Sequence, residues 1–214
     1  MKYPTFLGID LTSTEAKPSA CVGLDSKSRL VYLGFLAKNS DIIALADFYS
    51  PQIVAIDAPL SLPLGLCCLE EDCCCRPRLS TKNRQCNREL RRKGIPCYPT
   101  TEKTFIKDLI YRGIDLKASM SCEAKQVGQV IEAYPFASKV RLFGASMPRK
   151  TTKQGMRSHR DKLGDILPGL RPYLDMVGHN LCDAAVAAYT GLLYHQDNVE
   201  TLGIDEEGLI FIPI

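Results

Sequence analysis

The stretch FLGIDL at residues 6–11 places one carboxylate, Asp10, at the end of an apolar run that is typical of a buried β-strand. An ionised carboxylate in such a setting is costly unless it is paired, hydrogen-bonded or bound to a cation. Three further acids have similar apolar or small-residue surroundings: Asp57 after VAI, Glu132 after VI, and Asp183 before AAVAA. Because strand-end carboxylates that converge in space form divalent-metal sites, this pattern indicates an enzyme.

The order of patterns around this first strand predicts an α/β domain. Two β-type runs joined by a short polar turn suggest a hairpin, and helical periodicity then leads to another short apolar strand; these segments cover residues 20–24, 30–36, 41–48 and 53–56. The order predicts a mixed sheet of five or more strands, flanked by helices, in which strands one to three are antiparallel and the fourth lies beside the first and parallel to it. Further along, a strand is expected at 129–133, a long helix at 179–194 and a last strand at 209–212.

Pairing of the first and fourth strands would bring Asp10 and Asp57 to the same edge of the sheet. The alternative for each residue is a turn cap, since Asp at a strand end often has that role. Asp183 has its own alternative: with Asn180 as N-cap it would be an N3 residue favoured by the helix dipole. The alanines around it, at 184–188, would instead let the helix lie close on a sheet, so that Asp183 faces the strand carboxylates.

Two residues complete the predicted catalytic set. Glu132 is a candidate fourth carboxylate, and its alternative role is a salt bridge to an arginine of a basic segment earlier in the chain. His179 lies one helical turn before Asp183 and shares its face, from which it could orient a water or a leaving group. The alternative for His179 is a structural role at the start of the helix.

Size and composition fit one soluble globular domain spanning residues 1–214. The chain has 45% hydrophobic and 24% charged residues, which is ordinary for such a domain. It contains neither an apolar stretch long enough for a membrane span nor an apolar signal-peptide core, so we expect a cytoplasmic protein without membrane contact. Residues from about 60 to 101 interrupt the strand and helix pattern and are predicted to form an insertion.

The insertion is strongly basic. Residues 76–93 contain eight Lys or Arg residues and a single acid, Glu89. This run is either a solvated surface loop or a contact for the phosphate backbone of a nucleic acid. A second basic stretch at 149–162 favours the nucleic acid. The predicted nucleic-acid contacts are six arginines: Arg76, Arg78, Arg84, Arg88, Arg91 and Arg92.

The insertion also holds seven of the ten cysteines of the chain: Cys67, Cys68, Cys73, Cys74, Cys75, Cys86 and Cys97. Four thiolates from this set could hold a zinc ion or an iron–sulfur cluster. Free reduced thiols and a disulfide are the alternatives, because the spacing matches no strong metal-binding motif.

The motifs in their order resemble family 429 of the domains of unknown function, nearly from end to end. The resemblance rests on five short segments: GID at 8–10, IDAP at 56–59, IEAYP at 131–135, HNLCDA at 179–184 and GLIFIP at 208–213. Members of that family are described as predicted nucleases with a ribonuclease H-like fold. Asn180 stands where relatives often carry another acid.

The resemblance implies a metal-dependent nuclease. By analogy with the wider superfamily, Asp10, Asp57 and Asp183 would hold Mg²⁺ or Mn²⁺, with Glu132 as a candidate fourth ligand. The expected reaction is hydrolysis of a phosphodiester in RNA or DNA, in which bound cations activate a water and neutralise the leaving oxygen.

Two other functions fit parts of the sequence. The first is a noncatalytic nucleic-acid-binding module, in which a metal bound by cysteines cross-links the insertion. Such a module would use the basic and cysteine-rich segments without the carboxylates. A phosphotransferase of the actin and sugar-kinase type is suggested by the resemblance of GIDLTST at 8–14 to the first phosphate loop of that superfamily. That architecture generally needs two such domains and a glycine-rich adenosine motif, neither of which the sequence contains.

Overall fold

The chain folds around a seven-stranded mixed sheet. The structure, a computed structural model, describes residues 5–71, 73, 83–123 and 127–214. The strand order is β3-β2-β1-β4-β5-β7-β6. The strands are β1 (Thr5–Asp10), β2 (Ser19–Asp25), β3 (Leu30–Leu36), β4 (Ile53–Asp57), β5 (Gln129–Ala133), β6 (Val199–Ile204) and β7 (Gly208–Pro213).

Six α-helices of the described residues surround this sheet: α1 (Asn39–Tyr49), α2 (Gln85–Arg92), α3 (Lys107–Glu123), α4 (Pro135–Phe143), α5 (Lys153–Ile166) and α6 (His179–His195). A 3₁₀ helix at Pro168–Met176 links the last two, and a short one at Asp205–Glu207 links β6 to β7. None of the helices in the described ranges is both long enough and apolar enough to cross a membrane.

The predicted topology of the first four strands is confirmed. Strands β1, β2 and β3 are antiparallel neighbours, and β4 runs parallel to β1 on its other side. Strands β5 and β7 continue the sheet in parallel, while β6 closes it as an antiparallel edge strand. The sequence did not predict β6, because its residues are mostly half-buried or exposed, and such an edge strand lacks a clear apolar pattern.

Helices cover both faces of the sheet. On one face, α5 and α6 pack on β2 through a core that contains Leu163, Val22 and Ala185. On the other face, the side chains of β1 and β4 pack with α1 and α3, as in the contact group of Ile9, Ile42 and Leu116. The sheet therefore has a hydrophobic core on each face, and the carboxyl ends of its central parallel strands lie at one edge.

The position of α6 depends on Gly8 in β1. A Cβ atom at Gly8 would lie 2.1 Å from the carbonyl oxygen of Ala184 and 2.2 Å from the amide nitrogen of Ala188. Both are backbone atoms of α6, so the helix lies directly on the strand and any side chain at Gly8 would displace it. This close approach is what the alanine-rich sequence of α6 predicted.

Two buried glutamates hold the start and the middle of the predicted insertion. Glu132 accepts a hydrogen bond from the backbone N–H of Leu60, and Glu207 accepts hydrogen bonds from the N–H groups of Leu64 and Gln85. From the last of these anchors, Gln85, α2 continues and buries Cys86 and Leu90 in a core group with β7. These contacts fix the described part of the insertion to the sheet.

Candidate metal centre

Asp10 and Asp57 are neighbours across two parallel strands. They end β1 and β4, and the strand register pairs them directly. Since parallel strands present their carboxyl ends at the same edge, both side chains leave the sheet in the same place. The prediction that these two carboxylates share an edge is confirmed.

Asp183 reaches the same place from α6. The helix begins at His179 with Gly178 as its N-cap, so Asp183 is the fifth helical residue and not the N3 residue that an Asn180 cap would have made it. Asp183 is buried, with only 6% of its surface exposed. The close packing of α6 on Gly8 brings it over the end of β1.

The three carboxylates converge. One oxygen each from Asp10, Asp57 and Asp183 lies within 4.8 Å of the other two. Ligands on opposite sides of one Mg²⁺, Mn²⁺ or Ca²⁺ ion lie about 4–5 Å apart, so the three oxygens fall within one coordination sphere. Among the described residues this is the one acidic group with such spacing.

Two lysines partly neutralise the carboxylates. Lys139, from α4, lies with its Nζ 2.5 Å from Asp183 Oδ1, and Lys150 contacts Asp183 Oδ2 from the loop before α5. Lys139 is 5% exposed, which is rare for a lysine without an acidic partner. With all five side chains ionised, the group keeps one negative charge.

The pKa values of the group reflect this shortage of positive charge. Burial, and then repulsion by Asp183, raises the pKa of Asp10 to about 7. Burial and repulsion by Asp10 raise the pKa of Asp57 well above its ordinary value. Burial alone would lower the pKa of Lys150, but attraction to Asp183 and then to Asp10 outweighs it, so this pKa is raised. Shifted pKa values of buried, interacting groups are typical of functional sites.

A cavity of about 780 Å³ opens above the carboxylates. Its wall combines the three acids with cations, aromatic rings and apolar side chains from the insertion, α4 and the loop before α5. Its cations include Lys139, Arg149 and Lys150. The volume is within the range of small-molecule sites, and the open side can admit a longer chain.

Glu132 has the role that the alternative prediction gave it. Arg84 binds it with two parallel hydrogen bonds, from Nη2 to Oε1 at 2.6 Å and from Nη1 to Oε2 at 2.7 Å. Both side chains are buried, Arg84 completely. A carboxylate held this way has little capacity left for a cation, so the contacts support the ion pair, and the catalytic role of Glu132 stays a prediction. Arg84, in turn, is not a surface contact for phosphate.

The structure places His159, and not His179, in the wall of the cavity. His179 is exposed at the first residue of α6. His159 is 5% exposed; its Nε2 lies 3.1 Å from the carbonyl oxygen of Pro148, and its Nδ1 has no partner among the described residues. Burial, and then the charge of Lys139, lowers the pKa of His159.

One family model, described as "Protein of unknown function (DUF429)", matches residues 8–208. The chain belongs to this family. No curated protein and no solved structure matches the chain significantly. The DUF429 match includes Asp10, Asp57 and Asp183 as well as the whole cysteine-rich insertion.

Within this DUF429 chain, a second group of metal-ligating side chains lies in the insertion. The sulfur atoms of Cys67, Cys68 and Cys73 all lie within 4.8 Å of one another, with 3.3 Å between those of Cys67 and Cys73. The loop is fixed to α3, since the N–H of Leu69 donates to the hydroxyl oxygen of Tyr111 at 2.7 Å.

The other predicted cysteine ligands have different positions. Cys86 is fully buried on α2 within a core contact group, where burial raises the pKa of its thiol to about 12. The sulfur of Cys97 accepts a hydrogen bond from the side chain of Asn87 at 3.6 Å. Neither belongs to the group of three, and Cys74 and Cys75 lie outside the described residues.

The remaining predicted arginine contacts divide in a similar way. Arg91 and Arg92 are exposed at the end of α2. Arg88 is 38% exposed, but it donates to the carbonyl oxygen of Asn83 at 2.6 Å and so is partly engaged within the insertion. Arg76 and Arg78 lie outside the described residues.

The lysines of the centre were missed, although Lys139 carries a sequence signal. It falls in the stripe of Phe136, Val140 and Phe143 on a helix, where a charged residue is unexpected unless it has a buried partner. Lys150 has no comparable signal beyond its place in the second basic stretch.

Proposed function

We propose that the protein is a metal-dependent nuclease that hydrolyses phosphodiester bonds of nucleic acid. The observation that carries this proposal is the convergence of Asp10, Asp57 and Asp183, from two strands and a helix, beneath a cavity lined by cations. The order of strands β1 to β4 agrees with the ribonuclease H-like arrangement that the family resemblance implied.

The donor set fits a hard divalent cation. Carboxylate oxygens are the ligands that Mg²⁺ and Mn²⁺ prefer. Burial raises the pKa values of Asp10 and Asp57, and so does repulsion, from Asp183 at Asp10 and from Asp10 and Asp183 at Asp57; a bound cation would offset both effects. Asp10, Asp57 and Asp183 would hold it. When bound, such a cation lowers the pKa of a water and neutralises charge on the leaving oxygen.

The lysines contribute binding and charge stabilisation. Lys139 and Lys150 lie against Asp183 in the same wall, where their ammonium groups can attract a phosphate entering the cavity. In a site partly closed to water, a fixed cation stabilises the negative charge that develops in the transition state more than it would in bulk solvent. The chain thus needs no covalent nucleophile, because position and charge supply the catalysis.

The test is cleavage of a panel of labelled RNA and DNA oligonucleotides, single- and double-stranded, with Mn²⁺ or Mg²⁺. Wild type should cleave at least one substrate, and EDTA should stop cleavage. Asp10→Asn should lower the rate by about a hundredfold or more, with the fold retained. Asp115→Asn, an exposed carboxylate in the middle of α3, is the matched control and should act as wild type does. Cleavage retained by Asp10→Asn would contradict the mechanism.

A noncatalytic nucleic-acid-binding module is the second candidate. The observation in its favour is that both oxygens of Asp183 already contact lysines, so part of the charge is balanced without a cation. A protein with this function would bind the same oligonucleotides but would not cleave them with either metal.

We further propose that Cys67, Cys68 and Cys73 hold a zinc ion or an iron–sulfur cluster. Sulfur ligands of one tetrahedral zinc lie about 3.8 Å apart, close to the spacing of these three. A bound metal would cross-link the insertion near α3.

Elemental analysis of protein purified without oxygen should find about one zinc, or iron with sulfide, per chain. Cys67→Ser should remove most of it, while Cys122→Ser, an exposed cysteine on α3 outside the group, should not. Metal-free protein whose insertion resists proteases would contradict this proposal and favour reduced structural cysteines.

A further inference from the structure

Exposed aromatic rings surround the mouth of the cavity. Tyr98 is 55% exposed and Phe136 is 45% exposed, and both line the cavity that contains the three carboxylates. Phe105 is 78% exposed and packs edge-on against Tyr98, with ring centroids 4.8 Å apart. Large apolar rings left in water beside a charged cavity indicate a binding surface. We call Tyr98, Phe105 and Phe136 the aromatic rim.

The aromatic rim is held by hydrogen bonds on both sides of the cavity. The carbonyl oxygen of Tyr98 accepts from the side chain of Asn87 at 3.4 Å. The hydroxyl of Tyr134, which packs beside Phe136 at the start of α4, donates to the carbonyl oxygen of Pro96 at 2.7 Å. This bond joins the loop of Tyr98 to the helix of Phe136, so the rings are positioned before any ligand binds.

The charges in the same cavity are complementary to a phosphate chain. Lys139, Arg149 and Lys150 line the wall beside the rim, and Arg149 is exposed. Aromatic rings next to a basic groove are the combination that binds single-stranded nucleic acid, in which unpaired bases stack on the rings and the backbone follows the cations. In a duplex the base faces are covered by their neighbours, so the rings would find no partner.

We propose that the aromatic rim selects single-stranded nucleic acid, with bases stacked on Tyr98 and Phe136 and the backbone held by Lys139, Arg149 and Lys150. Phe105 extends the stack outward through Tyr98. The proposal rests on the proposed function for the cleavage of the bound strand, while the binding itself requires no catalysis. The rim thus defines the substrate class as an unpaired strand, either RNA or DNA.

Fluorescence anisotropy tests this proposal with a labelled single-stranded oligonucleotide of about twelve nucleotides, comparable to one single-strand binding site. The same strand annealed to its complement is the second probe, and EDTA prevents cleavage. Wild type should bind the single strand at least tenfold more tightly than the duplex. Tyr98→Ala and Phe136→Ala should each weaken single-strand binding by about tenfold. Phe105→Ala should have a smaller effect.

Phe48→Ala is the matched control, because Phe48 is a 72% exposed ring on α1 that does not line the cavity. It should leave single-strand affinity unchanged, and all four rings are exposed enough for the variants to keep the fold. Equal affinity for single strand and duplex, or unchanged binding after loss of Tyr98 and Phe136, would overturn the proposal even if the protein cleaves nucleic acid. Selective, ring-dependent binding in EDTA, together with no cleavage in the separate assay with Mn²⁺ or Mg²⁺, would support the rim and contradict the nuclease.

Discussion

Two buried acidic sites lie near the carboxyl ends of the central strands, and they differ in how their charge is balanced. Glu132 has one arginine that matches it with two parallel hydrogen bonds. Asp10, Asp57 and Asp183 share two lysines, both of which contact Asp183. The first site is a closed pair with a structural role, whereas the second keeps excess negative charge that a cation can neutralise. Burial of a carboxylate alone therefore does not identify a catalytic site.

Arg84→Ala should have the largest effect, because it leaves the buried Glu132 without its partner. Loss of one member of a buried ion pair costs about 3–5 kcal/mol, and the insertion should lose an anchor at the same time. Urea unfolding followed by circular dichroism measures the change. Arg91→Ala, an exposed arginine of the same helix, should stay within about 0.5 kcal/mol of wild type. A loss below about 1 kcal/mol in Arg84→Ala would show that the pair is not structural.

Asp10→Asn should act in the opposite direction on the metal-free protein. Removing one buried charge relieves the desolvation and repulsion that raise the pKa of Asp10 to about 7. We expect a gain of about 1–3 kcal/mol in the free energy of unfolding near pH 8, measured in EDTA. A destabilised Asp10→Asn variant would mean that this carboxylate, like Glu132, is satisfied within the fold.

The same pKa shift predicts how stability depends on pH. The folded protein binds more protons than the unfolded chain between the ordinary pKa of Asp10, 3.8, and its folded pKa of about 7. The free energy of unfolding of metal-free wild type should therefore fall as pH rises through this window and level off above it. Asp10→Asn should show a shallower fall. Because other groups also titrate in this window, the difference between the two proteins is the test, and equal slopes in wild type and Asp10→Asn would contradict the shift.

Lys150→Gln has the smallest expected effect, and it tests whether the lysines at the three carboxylates leave room for a cation. Lys150 contacts Asp183 Oδ2, and its charge competes with that of a bound cation, so its removal should tighten Mn²⁺ binding by about three- to tenfold. Lys153→Gln, an exposed lysine at the start of α5, is the control. Weaker Mn²⁺ binding by Lys150→Gln would show that the lysine supports the metal site rather than competing with it.

The proximity of Asp10, Asp57 and Asp183 could be predicted from the sequence. Strand pairing fixes the relative position of the two strand-end acids, and the alanine-rich start of α6 allows it to lie on Gly8. Both are local sequence patterns, and each one determines a single feature of the geometry: the register of the two strands and the close approach of the helix. The same reasoning left Glu132 with two possible roles, because a strand carboxylate looks identical whether its partner is a cation or an arginine.

The features that sequence reasoning missed or left open depend on contacts between distant segments. Lys150, which was missed, meets Asp183 across 33 positions of sequence, and the choice of Arg84 as the partner of Glu132, which was left open, depends on a contact across 48. Helix α2 was not predicted because only three of its residues are buried, Cys86, Asn87 and Leu90, and most of the others are charged. Which cysteines group together likewise depends on how the loop folds onto α3.

The most direct test of the account is Mn²⁺ binding by isothermal titration calorimetry, comparing wild type with Asp57→Asn. Mn²⁺ is suited to this measurement because it prefers carboxylate oxygen to the thiolates of the insertion. We expect wild type to bind at least one Mn²⁺ per chain, Asp57→Asn to weaken this binding by at least tenfold, and Asp115→Asn to leave it unchanged. Equal Mn²⁺ affinity in wild type and Asp57→Asn would contradict the central claim that the three carboxylates form a metal centre.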